Sequence, residues 1–68
     1  MPEVDSSVIE RVEYNAAQHL LFVTFTTGRR YVYFGVPEDV YRAFLAAPSP
    51  GNFFNTEIRD RYPFRALN

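Results

Sequence analysis

The 68-residue sequence predicts an α+β domain: a three-stranded antiparallel meander followed by two C-terminal helices packed on one sheet face. Three observations lead there. Residues 6–34 are rich in β-branched and aromatic side chains, which suit a pleated, half-buried surface. Asn15 and Gly28 punctuate that stretch at hairpin spacing, and after Gly35 the apolar period lengthens from two to that of a helix.

The first strand is expected over Ser6 to Tyr14, where the adjacent Val8 and Ile9 break the alternation and call for a bulge near residues 9–11. Asn15-Ala16-Ala17-Gln18 reads as a turn, since an Asn side chain can bond its own backbone. Leu20 to Thr26 is the clearest strand. The connection to the third strand sets the register. With Thr26-Thr27 in a type I turn and Gly28 left-handed, Val23 faces Tyr31, Leu21 faces Tyr33 and Phe25 faces Arg29. A two-residue Thr27-Gly28 loop is disfavoured, because it asks a β-branched Thr for a positive φ. Leu21, Val23, Phe25, Tyr31 and Tyr33 then share one face, and Phe22, Val32 and Phe34 share the other.

Pro37 at the first helical position, Glu38 and Asp39 beside the positive end of the dipole, and Pro48 as a stop outline the first helix. Its buried stripe is Val36, Val40, Ala43, Phe44 and Ala47, flanked by Tyr41 and Leu45. Ser49 as N-cap and Pro50 in the first turn open a second helix over about residues 50–61, with Phe54, Ile58 and Tyr62 four apart and Pro63 ending it.

A chain of this length makes one domain, expected over residues 1–68 with its core at about 6–63 and short flexible termini. Without cysteine, neither a disulfide nor a thiolate zinc site can staple it, so seven Phe and five Tyr must supply the core. No apolar stretch approaches the ~18 residues of a membrane span and the N-terminus lacks a signal-peptide pattern, so a cytoplasmic protein without a membrane partner is expected. The net charge of −1 is unevenly laid out: residues 1–28 carry −3 and residues 29–68 carry +2, and every basic residue is Arg.

The order and spacing of many residues resemble the KTSC domain, a small bacterial domain named for its occurrence at the C-terminus of some lysyl-tRNA synthetases. The likeness runs through Ser6-Ser7, Ile9, Tyr14, Leu21, Val23, Phe25, Gly28, Tyr31-Val32-Tyr33 and Val36-Pro37. It continues through Ala47, Ser49, Gly51, Phe53-Phe54-Asn55, Ile58-Arg59 and Tyr62-Pro63. The resemblance implies a stand-alone or appended module for which RNA binding has been suggested; at this length a stand-alone domain is expected.

Two residue sets bear on RNA. Tyr31 and Tyr33 are either core under the helices or, if the helices cover the opposite face, a platform for stacking bases. Arg29, Arg30, Arg59, Arg61 and Arg65 are candidate phosphate contacts, against which stands a solvated, salt-bridged surface with Arg59 paired to Glu13 or Asp39. Asn55 either bridges segments through the main chain, the favoured role, or reads a ligand. Ser49 and Gly51 look like helix-start requirements. His19 is alone at a turn, so no metal site is expected, and no cofactor motif, catalytic triad or paired-carboxylate cleft is apparent. So short a chain is also expected to enclose no drug-sized pocket of ~300 Å³, which argues against catalysis and a small-molecule substrate. A non-catalytic binding module remains. The alternative ligand is a protein, a second copy included, on the Phe22, Val32 and Phe34 face.

Overall fold

The computed structural model describes residues 9–67. Strand β1 is Ile9–Asn15, β2 Leu20–Phe25, β3 Arg30–Phe34 and β4 Phe64–Ala66, in the order β1-β2-β3-β4 with every neighbour antiparallel. Helix α1 spans Glu38–Ala46, and α2, Pro50–Phe53, runs into a π-helical turn, Phe54–Ile58. The expected α+β meander with two helical segments is therefore present, with a fourth strand added. The expected start of β1 at Ser6, and the Ser6-Ser7 pair, lie outside the described residues.

The register is the one Gly28 dictates. Val23 faces Tyr31 and Leu21 faces Tyr33. Gly28 N–H donates to the Phe25 carbonyl at 2.8 Å, Phe25 N–H donates to the Arg29 carbonyl at 2.9 Å, and Gly28 has φ 94°. The β1 bulge falls between Ile9 and Arg11 as expected. At the first turn Gln18 N–H donates to Asn15 Oδ1 at 3.1 Å, and His19, exposed, takes φ 57°.

Alternation and register put Ile9, Val12, Tyr14, Leu21, Val23, Phe25, Tyr31, Tyr33 and Phe64 on one sheet face. The helices cover it: Leu21, Val23 and Tyr33 form one buried cluster with Val36, Phe44, Phe54 and Ile58. The other face carries Glu13, Leu20, Phe22, Thr24, Arg30, Val32, Phe34 and Arg65. Val32 on that face is shielded by its own neighbours, being 5% exposed yet outside the core cluster.

Four helical details depart from expectation. Pro37 is the N-cap of α1, with ψ 158°, and the first helical residue is Glu38. Ala47 is extended, because the ring of Pro48 disfavours a helical conformation at the residue before it, which ends α1 at Ala46. Ala43 is exposed and drops out of the buried stripe, which is held by Val36 and Phe44 with Val40 and Ala47 half-buried. The second helix begins as expected, Asn52 N–H donating to Ser49 Oγ at 3.4 Å. After one turn it opens to π geometry, with Arg59 N–H donating to the Phe54 carbonyl at 2.8 Å. Thr56 Oγ1 contributes to that opening by donating to the Asn52 carbonyl at 3.1 Å, competing with the backbone donor of an α-turn.

Strand β4 is an element the sequence does not predict. Pro63 ends the helical segment, and the chain turns back along β3: Phe34 N–H donates to the Pro63 carbonyl and Leu67 N–H to the Arg30 carbonyl, at 2.9 and 2.7 Å. This strand covers the β3 edge and brings Phe64 over the tyrosines.

Candidate functional site

Five aromatic rings close a circuit at the Gly28 end of the covered face. Phe25 meets Tyr31 at 5.7 Å between ring centroids, Tyr31 meets Phe64 at 5.7 Å, and Phe64 meets Tyr33 at 5.5 Å. Tyr33 meets Phe54 at 5.4 Å, and Phe54 returns to Phe25 at 5.6 Å. Four of these five contacts are edge-to-face, the arrangement the ring quadrupole favours. The rings come from four elements: Phe25 from β2, Tyr31 and Tyr33 from β3, Phe54 from the π-turn and Phe64 from β4.

This circuit forms much of the wall of an open cleft of about 520 Å³, whose polar lining is Arg29, Asn55, Arg59 and Asp60. The tight turn at Gly28 delivers Arg29 to one side. On the other, Asn55 and Arg59 stand one turn apart, and Arg59 Nη1 donates to Asn55 Oδ1 at 3.3 Å. Neither arginine has a carboxylate within ion-pair distance among the described residues. The Tyr33 hydroxyl is pushed up from 10.0 to about 12, first by burial, then by the neighbouring Tyr31 hydroxyl and Asp60, with Arg59 pulling the other way. It is therefore a neutral hydrogen-bonding group at ordinary pH.

The structure sorts the candidate residues into three places. Arg29, Tyr31, Tyr33, Asn55 and Arg59 converge on the cleft. Arg30 and Arg65 lie on the opposite sheet face. Arg61 stands on the exposed side of the C-terminal turn, 3.8 Å from Glu57. The tyrosines do not form an open stacking platform, because the helices cover their face: Tyr33 is 3% exposed and Tyr31 half-buried. Arg59 pairs with neither Glu13 nor Asp39; Glu13 is 3.6 Å from Arg11, and Asp39 Oδ1 accepts from the Val40 N–H at 2.9 Å. Asn55 bonds within its own turn instead of bridging segments, leaving its amide nitrogen without a partner among the described residues. Against the expectation of no drug-sized pocket, this cleft exceeds that volume, although it is open to solvent instead of enclosed. Phe25, Phe54 and Phe64 join the cleft beyond the residues the sequence points to. Only the alternation of β2 and the four-residue spacing hinted at the first two.

The remaining signature residues hold the frame. The Tyr14 hydroxyl donates to the Val36 carbonyl at 2.6 Å while its ring stacks on Tyr41 at 4.6 Å, tying the end of β1 to the start of α1. Desolvation there, and then the charges of Glu38 and Asp39, raise its hydroxyl above the usual tyrosine range. Gly51 and Ile58 are buried, Tyr62 packs against the core, and Pro37 and Ser49 start the helices.

Fold and cleft together define a small α+β domain with a four-stranded sheet, one face covered by helices. The KTSC domain model matches residues 5–62, and the chain belongs to that family. It is 40% identical over 67 residues to a protein of Tsukamurella paurometabola, covering 98% of this chain and 100% of that one. It is 34% identical over 64 residues to a lysine–tRNA ligase of Nostoc punctiforme, covering 94% of this chain but 11% of the ligase. The crystal structure of a KTSC domain protein from Yersinia pestis superimposes with a TM-score of 0.86 at 32% identity, covering 98% of this chain and 94% of that one. No helix among the described residues is long and apolar enough to cross a membrane.

Proposed function

We propose that this protein is a non-catalytic RNA-binding module, acting in the cytoplasm, and that the aromatic cleft is where RNA is held. The observation that carries the reading is the placement of Arg29, Asn55 and Arg59 around five clustered rings. Guanidinium groups suit phosphate, because their planar fork can donate two parallel bonds to it. Single-stranded RNA offers unstacked bases that lie against aromatic faces and hydrogen-bond along their edges. Phe64, 53% exposed, and the half-buried Tyr31 are the rings a base can reach. The Asn55 amide and the Tyr33 hydroxyl are the groups to read its edge. The likeness to a segment of a tRNA ligase is consistent with such a ligand.

A salt-titrated binding experiment with single-stranded and hairpin RNA tests this. Binding is expected at about 50 mM salt, weakening as salt rises, and Arg29→Ala and Arg59→Ala should each shallow the salt slope by about one. Arg61→Ala is the control, since that side chain lies outside the cleft beside Glu57. No binding at low salt, or equal losses from all three variants, overturns the reading.

A further inference from the structure

The sheet face turned away from the helices carries a second pattern. One cross-strand row runs through all four strands: Glu13 pairs with Phe22, Phe22 with Val32, and Val32 with Arg65. It reads acid, apolar, apolar, base. The adjacent row, Asn15, Leu20 and Phe34, extends the apolar centre, and Phe34 is 38% exposed. On the other side Arg11, Thr24 and Arg30 make a polar row. Arg65 has no ion-pair partner among the described residues.

We propose that this face docks a second copy of the same chain, the two sheets stacked about a two-fold axis parallel to the strands. The order of the row argues for the occupant. A two-fold running along the strands between β2 and β3 sets β1 of one copy over β4 of the other, so each Glu13 meets the partner's Arg65 and each Phe22 the partner's Val32. The apolar row follows, Leu20 over Phe34. A two-fold across the strands would set Glu13 over Glu13 and Arg65 over Arg65, which like-charge repulsion disfavours. Stacked sheets lie about 10 Å apart with strands within about 30° of each other, so Leu20, Phe22 and Phe34 interdigitate around the already shielded Val32 while the longer Glu and Arg side chains bridge the edges. The polar row of Arg11, Thr24 and Arg30 forms the wet rim of such an interface. RNA is a poorer occupant, because Glu13 beside Arg11 opposes phosphate and the ring of Phe22 is half-buried. This inference is independent of the cleft, which opens on the helix-covered side.

Sedimentation equilibrium on the wild type and two charge reversals tests it. The wild type is expected to dimerise. Glu13→Arg and Arg65→Glu, both at exposed positions, should each keep the fold by circular dichroism and weaken self-association by about tenfold or more, through two like-charge contacts per dimer. Mixing the two variants should restore association as a heterodimer, because the side chain at position 13 of either variant then faces an opposite charge at position 65 of the other. A wild type that stays monomeric overturns the proposal, as does a mixture that fails to associate when the wild type does. A monomer whose RNA affinity falls on Arg65→Glu would assign the face to nucleic acid instead. Arg29→Ala and Arg59→Ala should leave the dimer intact, so failure of the RNA reading is separable from failure of this one.

Discussion

Tyr33 is where packing and ionisation meet. Its ring lies against Phe54 and Phe64, and burial, with the Tyr31 hydroxyl and Asp60 beside it, holds the hydroxyl near 12 against an ordinary 10.0. The sign of the consequence follows from linkage. Where the unfolded chain gives up this proton and the folded chain keeps it, stability falls with rising pH. The contribution of the neutral hydroxyl is therefore complete below pH 10.0 and lost as pH climbs toward about 12. Tyr33→Phe should flatten that alkaline decline in denaturant titrations run at a series of pH values. Part of the slope should persist through Tyr14, whose hydroxyl is raised in the same direction. An unchanged slope in the variant would remove Tyr33 as its source. Gly28 makes a conformational counterpart. A Cβ there meets nothing within 4 Å, so the effect of Gly28→Ala isolates the strain of φ +94°. It should cost about 1–2 kcal/mol in thermal or urea unfolding, and Gly28→Asn less. Equal costs for the two variants would contradict a purely backbone origin. That glycine also made the register legible in the sequence, since it alone relieves Thr27 of a positive φ. The cleft was less legible: Arg29 and Arg59 are distant in sequence, and only the tertiary return of the π-turn brings them together.

At the level of elements, residues that carry a periodic signal were readable and those that depend on a neighbour were not. Leu20–Phe25 alternates over six residues and could be placed with its partners, whereas Phe64–Ala66 has three residues, no period, and a proline before it. Its pairing comes from the open edge of β3, which the linear sequence does not display. The π-turn escaped for a related reason. Phe54, Ile58 and Tyr62 repeat every four residues whether the ladder is α or widened by one residue, so spacing cannot tell them apart. The fourth strand carries a prediction of its own. Ending the chain at Tyr62 removes the Pro63 carbonyl that accepts from Phe34 N–H at 2.9 Å, together with the half-covered ring of Phe64. Amide exchange at Phe34 should accelerate, and the domain should lose roughly 1–2 kcal/mol from that ring's partial burial and its edge contacts. Unchanged protection at Phe34 would mean that β4 does not form in solution.

Across the whole molecule one core supports both surfaces. The central cluster includes Phe44 and Phe54, with centroids 6.3 Å apart, and Phe54 is also a wall of the cleft through its contacts with Phe25 and Tyr33. A domain of this size has a total stability of roughly 3–10 kcal/mol, at the usual 0.05–0.15 kcal/mol per residue. Phe44 is 1% exposed, and Phe→Ala at a packed core site costs about 3–5 kcal/mol, a large share of that total. Phe44→Ala should therefore sit near the unfolding midpoint in water, with far-ultraviolet circular dichroism and tyrosine fluorescence lost together, because no second core can hold part of the chain. The next residue supplies the contrast. Leu45 is 56% exposed, so Leu45→Ala should shift the urea midpoint by the equivalent of about 0.5 kcal/mol or less. If the Phe44 variant kept its sheet signal while losing only the helix, sheet and helices would be separable units. The cleft, built from rings on both, would then open by local unfolding of its helical wall instead of by collapse of the domain.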